Sequence, residues 1–240
     1  MTRGTGCPWR PASRLAGLVL AGALALAPSV GSAQIPPSPD ELASYTGLHR
    51  AAARGDSDGI RQLLAGRADP DARDARGRTP LHVAAFAGQA EAMRTLVTGG
   101  ADANALDAQR YDVVTIAAVR GDVPTLRLAL ALGARPGNVT SPYDGTALIA
   151  AAHLGQVDVV RILLDGGAPL DHVNNLGWTA LMESIVLGDG GSRHTETLRV
   201  LLEAGADPNV PDRAGVTPLA QARARGYSGM VKLLEARKAR

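Results

Sequence analysis

The sequence predicts an all-α solenoid of six helix-turn-helix repeats, and three observations carry that expectation. Thr46, Thr79, Thr146, Thr179 and Thr217 each open a similar run, with Asp112 in the same place between the second and third, at separations of 33, 33, 34, 33 and 38 residues. The glycines Gly55, Gly88, Gly121, Gly155, Gly188 and Gly226 keep the same register, each nine residues after its marker. The 240-residue chain is 45% apolar yet only 3% aromatic, so Leu and Ala must fill the core, which suits closely stacked helices. A fixed period of this length marks a unit that cannot bury its apolar face alone and gains a core by stacking on its neighbours.

The N-terminal segment precedes the repeats. Arg3, Arg10 and Arg14 lead into an apolar run from Leu15 to Ala27, then Pro28 and the small residues Gly31-Ser32-Ala33, the pattern of a secretory signal cleaved after Ala33. The run is shorter than the roughly 20 apolar residues of a membrane-spanning helix, and no later stretch is apolar enough to span. Cys7, the only cysteine, lies before the run, whereas a lipid-acceptor cysteine would follow it. Cleavage leaves no thiol to oxidise. The 25 basic residues would lose Arg3, Arg10 and Arg14, leaving 22 against 23 acids. A near-neutral mature chain has no electrostatic footprint for nucleic acid. The composition and compact leader point to a bacterial periplasmic or secreted protein with no membrane association after cleavage.

Residues 34–44 read as a linker, 45–236 as the repeat domain with units starting near 45, 78, 111, 145, 178 and 216, and 237–240 as a basic tail whose cations complement a helix end. Within the second unit, Thr79 is placed to cap a short helix, with Pro80 at its first position, where the missing N–H costs nothing. Gly88 stops that helix. A second helix runs through Leu96 and Val97, ends at Gly99-Gly100 and leads into a polar turn with Asp102, Asn104 and Asp107.

The runs Thr79-Pro80-Leu81-His82-Val83-Ala84-Ala85 and Ala101-Asp102-Ala103-Asn104, with Leu201-Leu202-Glu203-Ala204-Gly205-Ala206-Asp207-Pro208-Asn209 further on, resemble the ankyrin-repeat family over residues 45–235. The resemblance implies that the polar turns form protruding fingers and that a partner meets the concave surface of finger tips and first helices. The third unit departs from the pattern with Asp112-Val113-Val114-Thr115 and with Pro124 at the start of its second helix. The fourth finger, 138–145, has one extra residue. The fifth unit has five extra residues within 188–196, expected as a flexible, solvent-exposed connection.

Carried over by alignment, the contact residues are Arg78 and Phe86 of the second unit, Tyr111 and Arg120 of the third, and Tyr143 and His153 of the fourth. The fifth contributes Asn175, Leu176 and Trp178. Of six aromatic residues after residue 33, all but Tyr227 fall on finger or first-helix positions, the composition of an interface hot spot; the alternative is packing of finger on finger. Tyr143 and Trp178 are the leading contacts. His49 and His82 occupy a place where the family's imidazole bridges neighbouring loops.

His153, His172 and His194 are too dispersed for a metal site, and no cofactor is implied. The acids Asp112, Asp144, Asp171 and Glu183 invite an acid–base reading, but no nucleophile with an adjacent base accompanies them. Gly188-Asp189-Gly190-Gly191 lacks the strand and Lys of a phosphate loop, and Asn138-Val139-Thr140 matches a glycosylation acceptor. The function expected is therefore non-enzymatic binding of a protein partner by a monomeric stack. A small-molecule pocket at Tyr143, Asp144, His172, Asn174, Asn175 and Trp178 is the alternative, and an enzyme using the acids ranks below it. Leu164→Ala is expected to act as a buried truncation.

Overall fold

The structure, a computed structural model, describes residues 34–239; the expected signal, Cys7 and Arg240 lie outside the described residues. After α1 (Pro39–Ser44) the chain forms six helix pairs among the described residues. These are α2 (Gly47–Arg54) with α3 (Ser57–Ala65), α4 (Pro80–Phe86) with α5 (Ala90–Thr98), and α6 (Val113–Arg120) with α7 (Val123–Ala131). They continue with α8 (Ala147–His153) and α9 (Val157–Asp165), α10 (Ala180–Val186) and α11 (Ser192–Glu203), and α12 (Pro218–Ala224) and α13 (Ser228–Ala236). Apart from one isolated bridge between Thr140 and Gly145, the described residues are helix, turn and loop.

The recurrent markers start and stop the first helices. Thr146, Thr179 and Thr217 accept the N–H of the residue three further on, and Asp112 does the same for Thr115 at 2.8 Å, so the carboxylate is a sound replacement for Thr as an N-cap. Gly121 closes α6 at φ 64°, a left-handed conformation that glycine adopts without steric cost. The first helices pack in a row, α2 on α4, α4 on α6, α6 on α8, α8 on α10 and α10 on α12. At their contacts lie the pairs Ala51-Ala52, Ala84-Ala85, Ala117-Ala118 and Ala151-Ala152, all buried. Their small side chains allow these short helices to approach closely, which is why the core manages with so few rings.

Side chains of the loops hold successive repeats in register. Asp71 Oδ1 accepts the Asp102 N–H at 3.0 Å, Asn104 Oδ1 that of Arg135 at 2.8 Å, and Asp171 Oδ1 that of Asp207 at 3.1 Å. Between the third and fourth units the donor position is Pro169, which has no N–H, and the acceptor position is Gly137. A Cβ on Gly137 would lie 3.1 Å from Pro169 Cδ, so both departures from the pattern have one cause. His49 Nε2 bonds the Arg78 carbonyl at 2.9 Å and His82 Nε2 the Tyr111 carbonyl at 3.0 Å. Both imidazoles thus bridge to the next finger, and burial pushes the His82 pKa down.

Three expectations need correction. Residues 34–44 are not a bare linker: Ser38, Pro39 and Glu41 form a capping box that starts α1, with Ser38 Oγ accepting the Glu41 N–H at 3.2 Å and Glu41 Oε2 the Ser38 N–H at 2.7 Å.

The five extra residues of the fifth unit are not a free excursion. They lengthen α11 to 12 residues and bring in His194, whose Nε2 donates to the His153 carbonyl at 2.9 Å and whose Nδ1 lies 2.7 Å from Asp189 Oδ1. The His194 ring lies over Gly155 as Gln89 and Gln156 lie over Gly55 and Gly121. On the other side the Tyr227 hydroxyl donates to the Gly188 carbonyl at 2.9 Å, and a Cβ on Gly190 would collide with the Tyr227 ring.

Finally, Leu164 is only half-buried. Leu163, its neighbour, is 0% exposed and occupies the core.

Candidate partner-binding surface

The fingers are built by one polar residue each. Asp74 Oδ1 accepts the N–H groups of Arg76 and Arg78 at 2.8 and 2.9 Å, and Asp107 Oδ1 those of Gln109 and Tyr111, both at 2.9 Å. Asn174 Oδ1 accepts from Leu176 and Trp178, both at 3.0 Å, and Asp212 Oδ1 from Ala214 and Val216, both at 2.9 Å. In the fourth finger Ser141 Oγ takes this part, accepting from Tyr143 and Gly145 at 3.2 and 3.4 Å. The extra residue is absorbed there by Ser141 and Asp144, at φ 66° and 51°.

Neighbouring fingers are sewn together. The Arg76 carbonyl accepts from the Ala108 N–H at 3.0 Å, that of Arg110 from Ser141 at 3.0 Å, and that of Tyr143 from Asn175 at 2.9 Å. Arg110, at φ 65° where other fingers have Gly77, Gly177 and Gly215, pairs through Nη1 with Asp144 Oδ1 at 2.6 Å. The tips of the third to fifth fingers are therefore a continuous, hydrogen-bonded edge.

On that edge Tyr143 is 44% exposed, although its backbone is fixed on both sides. Arg120 is exposed at the end of α6, and His153, Asn175, Leu176 and Trp178 are half-buried. Asn175 Nδ2 donates to the Pro142 carbonyl at 3.0 Å. His153 Nδ1 lies 3.4 Å from Glu183 Oε2, and Glu183 Oε1 accepts from Asn174 Nδ2 at 2.9 Å. The structure thus brings six of the nine expected residues to an accessible surface.

The other three are corrected: Arg78, Phe86 and Tyr111 are buried. For Phe86 the cause is packing into the core around α4. For Arg78, 1% exposed, it is a charge network with the segment before the first repeat. Its Nε donates to Asp74 Oδ2 at 2.7 Å, and its Nη2 to Glu41 Oε1 at 2.8 Å and to the Tyr45 hydroxyl at 3.0 Å; Nη1 reaches the Ile35 carbonyl at 3.2 Å. Arg76 Nε also donates to Glu41 Oε1 at 2.8 Å, and the Tyr45 hydroxyl to Asp74 Oδ2 at 2.7 Å. Tyr111 is buried in the third finger, and that burial pushes its hydroxyl pKa up.

The network sets protonation. The Ser38 N–H above all, then Arg76 and Arg78, hold the Glu41 carboxyl down at about 2 against the effect of burial. Burial by itself would raise Asp74, but Tyr45 and Arg78 outweigh it and keep Asp74 below its ordinary value. Burial, reinforced by Asp74, pushes the Tyr45 hydroxyl far up. Rings were expected to face a partner; Tyr45, Phe86 and Tyr111 instead pack within the stack, as the finger-on-finger alternative has it.

The acids weighed for catalysis are occupied. Asp112 Oδ1 caps α6, while its Oδ2 accepts Asn138 Nδ2 at 2.9 Å. Glu183 holds Asn174, Asp144 pairs with Arg110, and Asp171 receives Asp207. Asn138 also donates to Asn104 Oδ1 at 3.1 Å, and Thr140 is buried against Thr115, so the acceptor motif is consumed by structure. Of the groups proposed for a small-molecule pocket, Asp144, Asn174 and Asn175 are likewise engaged, and His172 Nε2 bonds the Asp144 carbonyl at 2.7 Å. Among the described residues no three His, Cys, Asp or Glu side chains converge as metal ligands, and no helix is long and apolar enough to cross a membrane.

This stack of capped helix pairs, with fingers sewn edge to edge and a recurring His bridge, defines an ankyrin-type repeat domain. Family models of ankyrin repeats match residues 48–138 and 114–212, and another matches 190–235; the chain belongs to the ankyrin-repeat family. It is 44% identical to the solved ankyrin repeat domain from Acinetobacter baumannii, covering 80% of this chain and 98% of that one with a TM-score of 0.74. Against the ankyrin repeat domain of Bcl-3, a member of the IkappaB family, it has 28% identity and a TM-score of 0.72, covering 82% of this chain and 88% of that chain. A putative ankyrin repeat protein of Escherichia coli, YahD, is 37% identical over 107 residues, which are 44% of this chain and 53% of the relative. The chain thus spans about half the length of that curated relative. Ankyrin repeat domains are in general protein–protein interaction modules, and the fold is typically a non-enzymatic scaffold.

Proposed function

We propose that the chain is a non-enzymatic binding module that holds a partner protein on the fingers and first helices of its third to fifth repeats. The observation that carries this reading is Tyr143, an exposed ring on a finger whose backbone is locked by Ser141 on one side and Asn175 on the other. A rigidly presented aromatic side chain loses little conformational freedom on binding, which is what makes Tyr and Trp common anchors. Trp178 and Leu176 add half-buried apolar surface, and Arg120, His153 and Asn175 supply polar contacts around it. A photo-crosslinking residue at position 143 is expected to capture a discrete partner in native cells, while one at the exposed Arg61 on α3 is not. Equal labelling from both positions would remove the support for this face.

The module is proposed to act as a monomer after export to the periplasm or beyond. The basic, apolar and small-residue order of residues 3–33 supports that localisation. N-terminal sequencing of native protein is expected to begin at Gln34 or within a few residues of it. Soluble cytoplasmic protein that retains the leader would contradict export.

A further inference from the structure

Arg78 sits where the family's fingers offer a contact position, yet in this chain it and Arg76 are met by residues 35–41 of the same chain. That segment is held by polar contacts almost alone. No residue of α1 is buried, and the apolar side chains Ile35 and Leu42 are 40% and 41% exposed. Its grip is the Glu41 carboxylate under Arg76 and Arg78 and the Ile35 carbonyl on Arg78 Nη1. A segment with little buried apolar area belongs to the low-stability end of a protein and opens without the rest. When it opens, Arg78 keeps Asp74 and the Tyr45 hydroxyl but loses the Ile35 carbonyl at Nη1 and the Glu41 carboxylate at Nη2, leaving a half-neutralised guanidinium beside Arg76.

We propose that the Arg76–Arg78 pair on the second finger is a docking site for an acidic peptide segment of the partner, and that residues 34–44 occupy it as a displaceable internal ligand. The occupant is specified by the template in place: a carboxylate that bridges two guanidiniums, on a short capped turn, preceded by an extended stretch that offers a backbone carbonyl to Arg78. Charge complementarity selects the carboxylate, because the acid already on this finger, Asp74, is committed to Arg78 Nε, Tyr45 and the turn. The inference deepens the partner-binding reading by naming the partner's chemistry at one end of the surface. Its test uses no partner, so its failure would leave the third to fifth fingers untouched.

The probe is a fluorescein-labelled peptide of residues 34–44 added to the protein running from Gln34 to Arg240. The tethered segment competes at the high effective concentration of an intramolecular ligand, so wild-type protein is expected to bind the peptide weakly. Glu41→Gln in the protein, a change at a partly exposed side chain, is expected to raise peptide affinity at least tenfold while lowering the melting midpoint by only a few degrees, the share of stability that the tethered segment supplies. A peptide carrying Glu41→Gln is expected to lose at least tenfold against the variant protein.

Equal binding by both proteins, absence of binding by the variant, or indifference to the carboxylate in the peptide would overturn the proposal. Hydrogen exchange on the unmodified chain gives an independent reading: the Leu42 and Tyr45 amides are expected to exchange well before those of Val83 and Ala87 in and after α4. Protection of α1 equal to that of α4 would show the segment to be a fixed part of the fold and would likewise overturn it.

Discussion

Leu163→Ala is expected to destabilise the protein by about 2–5 kcal/mol, the range for truncating a fully buried leucine into a cavity. Leu163 is 0% exposed and shares its place in the repeat with Leu96, Leu201 and Leu234, which are equally buried. Its helix α9 packs on α8, α7 and α11, so neighbours constrain the site from three sides and cannot all collapse into the vacated volume. Leu164→Ala, one residue on, removes a half-buried side chain and is expected to cost at least about 1 kcal/mol less, because part of the lost area was already in water. Denaturant unfolding of the two variants makes the comparison. Equal losses would mean that the register of α9 against the core differs from that described.

Deletion of residues 190–193 is expected to cost about 2 kcal/mol or more, although the segment reads in sequence as a glycine-rich surface excursion. The deletion removes the first two residues of α11 and the Gly190 backbone that lies against the Tyr227 ring. It also displaces His194 from the His153 carbonyl and puts the Tyr227 bond to Gly188 at risk. Each buried polar group left without its partner costs about 1–3 kcal/mol, and two repeat interfaces are touched at once. Nearest-neighbour coupling is the main source of stability in a solenoid, so damage to two interfaces should lower the unfolding midpoint clearly. A shift under about 0.5 kcal/mol would show that the insertion is a spectator.

The architecture was legible because it is written many times over. A Thr or Asp cap and a glycine nine residues later recur from Thr46 to Gly226, with an Ala-Ala pair between them in the first four units, and the first helices begin and end at or beside those marks. What the periodicity could not convey was everything that happens once. The capping box of Ser38, Pro39 and Glu41 has its own local signature, but nothing in the repeat pattern says that its carboxylate reaches Arg76 and Arg78 more than 30 residues away.

The fate of Arg78 follows from that contact, so alignment placed it on the correct finger and still misjudged its exposure. The insertion was misread for a similar reason. Glycines at 188, 190 and 191 suggest freedom when counted locally, whereas Gly190 is required by the approach of a ring from the next repeat. Asp112 is the opposite case, a departure from the pattern whose chemistry preserves the capping role, while the Gly137 and Pro169 pair gives up donor and acceptor together.

The measurement that bears most directly on the central claim is the affinity of the captured partner for the Tyr143→Ala protein, compared with wild type and with Arg61→Ala as control. Tyr143 has an exposed ring on a finger held by backbone bonds, so its loss is expected to leave helical signal and melting midpoint unchanged. As a hot spot it should cost about 2 kcal/mol or more of binding, a factor near 30. Arg61, exposed on α3 and paired only with Asp58, should change affinity by less than about 0.5 kcal/mol. Partner affinity that is unchanged by Tyr143→Ala and lowered by Arg61→Ala would contradict the account and move the interface to the second-helix side of the stack.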